Sequence, residues 1–202
     1  MVYKDCNIGS AKPDEKTLKK YPHHLISLKS LDNIFTVSDF CERANKLIIE
    51  AHKNGKLPVL VGGSMMYFKS LFDGIHDLPD RDEEYREELK KLKNNNPDGC
   101  LYKILKDTDP VYANFINKND DMRIIRALEI YKNSNKKMSD ILKEKPTNGA
   151  KHKYDIHQFG IHFKRDILHK RIKERLNSML DQGLIDETSN ILKNYKLSDD
   201  HP

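Results

Sequence analysis

The chain has 202 residues, of which 33% are charged and 37% are hydrophobic, and its formal net charge is +5. This length suits one ordinary domain or a domain that carries an inserted subdomain. No apolar run reaches 18 residues and the start lacks the apolar core of a signal peptide, so we expect neither a membrane span nor a secretory leader. The basic surplus suits a polyanionic partner, although a Lys excess also follows from an AT-rich coding sequence.

The three cysteines, Cys6, Cys41 and Cys100, are odd in number and widely separated. Such usage indicates a reducing compartment rather than a disulfide framework, and we predict a cytoplasmic protein. The sequence has no Cys-x-x-Cys pair and no Cys/His cluster, so we predict no metal site built from these residues.

Two helices are predicted in the first quarter of the chain. A short helix is expected over 14–20, directly after Pro13. Thr36 and Asp39 have the spacing of a capping box, and the apolar stripe that follows predicts a helix to about His52.

A strand is predicted next, over the continuous apolar run Leu57–Val61. Runs of this kind are typical of strands buried on both faces of a parallel sheet. Gly62 and Gly63 would then let the backbone approach a ligand, and Ser64 stands where a helix N-cap hydroxyl belongs. We interpret this junction as one wall of a ligand site, the alternative being a plain strand-to-helix turn.

Residues 77–153 change character, because their apolar positions have helical spacing throughout. The alternating segment Ile156–Phe163 then returns to a strand pattern, and helices are expected over 165–182 and 185–195. We therefore predict an α/β protein whose parallel sheet contains Leu57–Val61 and Ile156–Phe163. Residues 77–153 are predicted to form an inserted all-helical domain.

Two arginines, Arg171 and Arg175, lie four residues apart and so share one face of the helix predicted over 165–182. A planar guanidinium pairs with phosphate oxygens in a two-point geometry, which makes this face a candidate clamp for a diphosphate. The alternative is an exposed helix face on which Arg171 pairs with Glu174 or Asp166.

A capped helix start is predicted between Asn119 and Arg123. Asn119 is a favourable N-cap, and Asp120 and Asp121 complement the helix dipole in the first turn. An ordinary helix start does not account for Arg123 and Arg126, which share a face beside apolar residues.

In order along the chain, the motifs resemble those of tRNA dimethylallyltransferases, also called tRNA isopentenyltransferases. Each motif is weak alone, but the ordered set is specific and runs over essentially the whole chain. Ser64 stands where the family usually carries Thr, and both residues supply a hydroxyl. The motifs are Val2–Pro13, Pro22–Leu25, Asp39–Phe40, Val61–Ser64, Asn119–Arg123, Arg126–Glu129, His157–Phe159 and Arg171–Arg175.

The resemblance implies transfer of a dimethylallyl group from dimethylallyl diphosphate to N6 of adenosine 37, next to the anticodon of tRNA. It also implies a nucleotide-binding and ATP-binding type of core, similar to P-loop NTPases, that works with Mg²⁺. Family members carry a Gly-x-x-x-x-Gly-Lys-Ser/Thr loop and an Asp that serves as general base, and this sequence contains neither motif. We therefore expect an incomplete α/β core, formed by 1–76 and 154–202, and little or no activity from this piece alone.

Site roles follow from the resemblance residue by residue. Arg175 is expected to stabilise the departing diphosphate, with Arg171 as a second diphosphate contact. The implied partners are the tRNA anticodon stem-loop and dimethylallyl diphosphate, with no membrane, and we expect a monomer. A non-catalytic tRNA-binding remnant and a small-molecule P-loop kinase relative are the alternative functions. The residues that the resemblance assigns to tRNA binding are Ser64, Arg86, Asn119, Asp120, Asp121, Met122 and Arg123.

Overall fold

The structure is a computed structural model that describes residues 1–197. The last residues of the predicted core segment, 198–202, lie outside the described part. None of the described helices is long and apolar enough to cross a membrane. The helices are α1 (Glu15–Lys20), α2 (Val37–Lys53), α3 (Met65–Asp73), α4 (Glu83–Asn94), α5 (Cys100–Thr108), α6 (Pro110–Ala113), α7 (Asp121–Ser134), α8 (Met138–Ile141), α9 (Arg165–Asp181) and α10 (Leu184–Asn194).

Two compact units divide the chain. The first contains Met1–Tyr67 and the chain from Tyr154 onward, and the second is Phe68–Lys153. The first unit is therefore discontinuous in sequence, with the second inserted into it. The functional assignment of an α/β core and a tRNA-binding insertion stays a prediction.

The predicted capping box at the start of α2 is confirmed. The Asp39 amide donates to the Thr36 hydroxyl at 3.1 Å, and the Thr36 amide donates to the Asp39 carboxylate at 2.9 Å. These reciprocal bonds satisfy two polar groups that the first helical turn would otherwise leave unpaired. The apolar stripe of α2 is buried through Cys41, Ala44 and Ile48, so the helix packs by one face.

The predicted parallel sheet is wrong for the described residues. Leu57–Val61 and Ile156–Phe163 have no regular secondary structure, and within residues 1–197 neither segment pairs with another strand. Val61 is 91% exposed and Phe159 is 92% exposed. An apolar run sets a local preference for extended backbone, whereas a sheet also needs a hydrogen-bonding neighbour and a covered face. The described first unit has one isolated parallel bridge, between Tyr3 and Lys29.

The second unit has a helical core. Its apolar centre draws on four helices, because α4, α5, α6 and α7 each bury at least one side chain in it. The largest contributor is α7, which has helical apolar spacing on the face that it presents to α5. The buried residues of this core are Leu89, Leu101, Leu105, Ala113, Ile124, Ile125, Ala127 and Leu128.

A two-stranded antiparallel ladder joins the two ends of the second unit. Strand β1 (Gly74–Ile75) pairs with β2 (Thr147–Asn148), so that Gly74 lies opposite Asn148. Gly74 has φ +94°, and a Cβ there would lie 2.2 Å from the Thr147 carbonyl oxygen, so both the backbone angle and the close approach require glycine. Of the two strands, only β2 lies inside the predicted all-helical insertion 77–153, since β1 precedes it. The ladder could not be predicted from the sequence, because two-residue strands have no readable periodicity.

Candidate functional site

The segment predicted to contact tRNA forms the start of α7, and its cap is Asp120 rather than Asn119. The Asp120 carbonyl accepts the first intrahelical bond, from the Ile124 amide at 3.0 Å, and its carboxylate accepts from the Arg123 amide at 3.2 Å. The Asn119 amide donates to the Asn117 side chain at 2.9 Å, in a turn that precedes the helix. Asn and Asp cap helices about equally well, so composition alone could not fix the starting residue.

Arg123 lies on the surface of the second unit. Its guanidinium pairs with the Asp120 carboxylate at 2.6 Å, and its side chain is 66% exposed. Beside it is a shallow, open depression lined by Asn117, Asn119, Asp120, Asp121 and Met122. An exposed ion pair contributes little to stability, and the tRNA contact expected of Arg123 stays a prediction.

Arg86 has a different environment, since it belongs to a buried ion-pair cluster centred on Glu129. Its Nε and Nη2 donate to the two oxygens of Glu129 at 2.6 and 2.9 Å. The Asp82 amide donates to the same carboxylate at 2.8 Å, and Arg126 pairs with it from one turn away on α7. Glu129 is fully buried.

These contacts decide the charge state of Glu129. Burial alone would raise the pKa of Glu129, but the hydrogen bonds from Arg86, Arg126 and the Asp82 amide lower it to about 2. The carboxylate is therefore ionised at neutral pH and joins α4 to α7. The tRNA contact expected of Arg86 stays a prediction, since its observed role is to hold this helix pair together.

Arg86 and Arg123 lie on the same pair of helices. Arg86 pairs with Glu129, and Lys93 pairs with Asp121 at 2.5 Å, so α4 and α7 run antiparallel. The Glu129 and Arg123 positions are six residues apart on α7, which corresponds to about 9 Å along the helix axis. The two predicted tRNA contacts thus lie on two helices of the second unit that are joined by ion pairs.

Sequence reasoning gave no role to two buried acids of the second unit. One is Glu129, and the other is Asp109, which is 2% exposed. The Asp109 carboxylate accepts from the Tyr112 amide at 3.0 Å and from the Ser139 amide at 2.8 Å, so it caps α6 and fixes the start of α8. A single acid inside an apolar helical run, as at Ala127-Leu128-Glu129-Ile130, is the sequence signal that could have revealed Glu129.

Ser64 lies in the first unit, immediately before α3. Its carbonyl accepts from the Tyr67 amide at 3.0 Å, whereas its hydroxyl has no hydrogen-bond partner among residues 1–197. The predicted capping bond is therefore not formed in the described residues. The hydroxyl is exposed and available to an incoming group.

The two arginines expected to bind a diphosphate lie on α9, also in the first unit, and both are exposed. The Arg171 guanidinium lies over the Phe163 ring, 4.6 Å from its centroid. Glu174 pairs with Lys170 at 3.9 Å rather than with Arg171. Within residues 1–197, Arg175 has no ion-pair or hydrogen-bond partner, so its planar fork of donors is uncommitted.

A magnesium ion is expected from the resemblance. Among residues 1–197, no group of three or more His, Cys, Asp or Glu side chains could hold a metal ion. Among these residues no metal site can be named, and the Mg²⁺ that the resemblance implies stays a prediction.

The IPP transferase family model matches residues 1–202, and the chain belongs to this family. It is 36% identical over 203 residues to a tRNA dimethylallyltransferase of Acinetobacter baumannii, covering 100% of this chain and 64% of that protein. It is 39% identical over 198 residues to the tRNA dimethylallyltransferase of Vesicomyosocius okutanii, covering 98% of this chain and 64% of that protein. The chain thus spans 64% of the length of these curated relatives.

Solved structures agree with this assignment. A full-length tRNA isopentenylpyrophosphate transferase from Bacillus halodurans matches with a TM-score of 0.56 and 34% identity, over 95% of this chain and 58% of that chain. A eukaryotic dimethylallyltransferase acting on tRNA matches with a TM-score of 0.76 and 26% identity, over 96% of this chain and 48% of that chain. The family predicted from the ordered motifs is confirmed.

Proposed function

We propose that the protein to which this chain belongs transfers a dimethylallyl group from dimethylallyl diphosphate to N6 of adenosine 37 in tRNA. The observation that carries the proposal is the match of the whole chain to relatives named tRNA dimethylallyltransferase. We further propose a cytoplasmic monomer that recognises the anticodon stem-loop and acts with Mg²⁺.

The reaction forms a bond between adenine N6 and the allylic carbon while that carbon loses its bond to the diphosphate oxygen. The attacking amine gives up one proton to a general base, and the leaving diphosphate gains negative charge. The adenine must leave the base stack to reach the allylic carbon. Ser64 is proposed to hydrogen-bond the substrate near the flipped adenosine, because its hydroxyl is exposed and uncommitted.

Arg175 is proposed to stabilise the leaving diphosphate. Its guanidinium is exposed and unpaired among residues 1–197, and a planar fork of donors matches phosphate oxygens in two-point geometry. Arg171 lies one helical turn away and is proposed as a second contact, oriented by the Phe163 ring. Charge that grows on the diphosphate in the transition state strengthens these interactions, so they are expected to act on kcat.

Recognition of tRNA is proposed for the start of α7. Arg123 is exposed there and adjoins the open depression formed by the residues from Asn117 to Met122. Asn119, Asp120, Asp121 and Met122 would contact the RNA together with Arg123. Arg86 would support this surface through the Glu129 cluster.

The test is transfer of a radiolabelled dimethylallyl group to an unmodified anticodon stem-loop. The sequence has neither the glycine loop nor the general-base Asp of the family, so we expect no detectable transfer by the 202-residue chain. A longer version that supplies both should be active. Arg175→Ala in that version should lower kcat by about 10² to 10³, and Arg175→Lys should recover part of the loss.

Lys173→Ala, on the same helix, is the matched control and should leave kcat close to normal. Clear turnover by the 202-residue chain would overturn the proposed inactivity, and normal kcat in Arg175→Ala would overturn the role of Arg175. Tight tRNA binding without transfer by the longer version would instead support the non-catalytic tRNA-binding alternative.

A further inference from the structure

A loop near the start of the first unit directs three consecutive backbone amides at one carboxylate. The amides of Asn7 and Ile8 donate to one oxygen of Glu187, each at 2.8 Å, and the Gly9 amide donates to its other oxygen at 2.9 Å. Glu187 lies on α10, about 180 positions further along the chain. Consecutive amides that converge in this way form a nest, a concavity that binds anions.

The loop also has hydrogen bonds that do not involve Glu187. The Lys12 ammonium donates to the Tyr3 carbonyl, the Lys4 carbonyl and the Asn7 side chain, each at 2.8 Å. The Lys12 amide also donates to the Asn7 carbonyl at 2.9 Å. Because these bonds do not involve Glu187, we expect the three amides to stay oriented toward a common point when its carboxylate is removed.

The electrostatics of the nest favour an anion. Burial alone would raise the pKa of Glu187, but the hydrogen bonds from Gly9, Ile8 and Asn7, with the nearby Lys12 charge, hold it below its ordinary value. The ammonium of Lys12, bound to the Tyr3 and Lys4 carbonyls and the Asn7 side chain, supplies the positive charge.

We propose that the Asn7–Gly9 loop is a binding site for small oxyanions, carboxylate or phosphate, and that Glu187 is the ligand it holds within the chain. An external anion and the Glu187 carboxylate compete for the same three amides, so filling the nest from solution releases this contact with α10. The Tyr195 hydroxyl donates to Asp5 as a second link between α10 and the loop region, so removal of Glu187 leaves the segments joined. The inference does not depend on the proposed transferase activity.

The test is chemical rescue in Glu187→Ala, followed by amide hydrogen exchange and NMR shifts of Asn7, Ile8 and Gly9. These three amides should exchange about tenfold faster or more in the variant, since each has lost a bond to a charged acceptor. Sodium acetate or inorganic phosphate should restore the slow exchange and the shifts in a saturable manner. Sodium chloride at equal ionic strength should not, because it supplies no oxyanion.

Asp186→Ala is the matched control, since the Asp186 carboxylate accepts no hydrogen bond from the loop within residues 1–197. It should leave the three amides protected. If Glu187→Ala fails to fold, Glu187→Gln is measured instead. The glutamine side chain has one acceptor oxygen, so it must lose either the hydrogen bond from the Gly9 amide or the two hydrogen bonds from the Asn7 and Ile8 amides. Unchanged exchange in the Glu187 variant would overturn the proposal, and so would faster exchange that neither acetate nor phosphate reverses.

Discussion

Arg86 and Glu129 face each other across α4 and α7 as a two-point ion pair whose acid is fully buried and whose base is 11% exposed. Arg126 and the Asp82 amide complete the shell around the carboxylate. The cluster therefore has two cations and one anion, and loss of the anion removes the carboxylate that both arginines share.

Glu129→Ala should destabilise the protein strongly, by about 3 to 5 kcal/mol, because Arg86 and Arg126 lose the carboxylate that they share while they stay partly buried. Urea denaturation measures the change in the free energy of unfolding. The control is Glu144→Ala, which removes an exposed pair with Lys136 at 3.8 Å and should cost less than about 1 kcal/mol. Equal losses in the two variants would show that the buried cluster contributes no more than a surface pair.

The same carboxylate should make stability depend on pH. The pKa of Glu129 is lowered from 4.5 to about 2, so its contribution is complete above about pH 4.5 and is lost as pH falls toward 2. A shift of this size corresponds to a contribution on the order of 3 kcal/mol. Unfolding free energies across this interval, compared between the native chain and Glu129→Gln, isolate the effect of this group. Parallel pH profiles for the two proteins would contradict it.

Gly74→Ala should destabilise the second unit more than Gly99→Ala does. Both glycines have positive φ, +94° and +85°, so each alanine adds a backbone cost of roughly 1 to 2 kcal/mol. A Cβ at Gly74 would also meet the Thr147 carbonyl oxygen at 2.2 Å, whereas a Cβ at Gly99 meets nothing within 4 Å. Thermal or urea unfolding gives the loss of stability in each variant. Equal losses would mean that the β1–β2 ladder accommodates the added Cβ at no cost in stability.

Arg123→Ala should weaken binding to an anticodon stem-loop and reduce its salt dependence. Each lost phosphate contact lowers the slope of log affinity against log salt by roughly 0.7 to 0.9. Fluorescence anisotropy at several salt concentrations gives both quantities. Arg81→Ala is the control, because Arg81 is an arginine of the same unit that pairs with Glu83. If the Arg123→Ala protein folds and its affinity for the stem-loop is unchanged, Arg123 has no role in tRNA binding.

Local signals in the sequence predicted the helical parts of the fold well. The capping box at Thr36 and Asp39 and the helices now seen as α9 and α10 depend on residues within a few positions of one another. Such features require only short-range hydrogen bonds and one covered face. The strands at Leu57–Val61 and Ile156–Phe163 require neighbours from distant parts of a chain, and local pattern cannot supply them.

The chemistry of the candidate site was only partly readable for a similar reason. Ordered motifs identified the family and drew attention to Arg123 and Arg175. They could not show that Arg86 is committed to Glu129, since that pair joins positions 43 apart in sequence. The sequence likewise could not show that the Glu187 carboxylate binds the amides of the Asn7–Gly9 loop, because the two are 180 positions apart and meet only in the folded chain.

The ladder between β1 and β2 also bears on how freely the second unit can vary in length. It joins Ile75 and Thr147, which are 72 positions apart in the sequence. The intervening segment is therefore a long loop whose two ends are held together by this pair of short strands. The entropic cost of closing a loop rises only slowly with its length, by about 0.6 kcal/mol for each doubling. We therefore expect insertions and deletions in the turns between its helices to leave the pairing of Gly74 with Asn148 intact, provided that the glycine and its partner strand are kept.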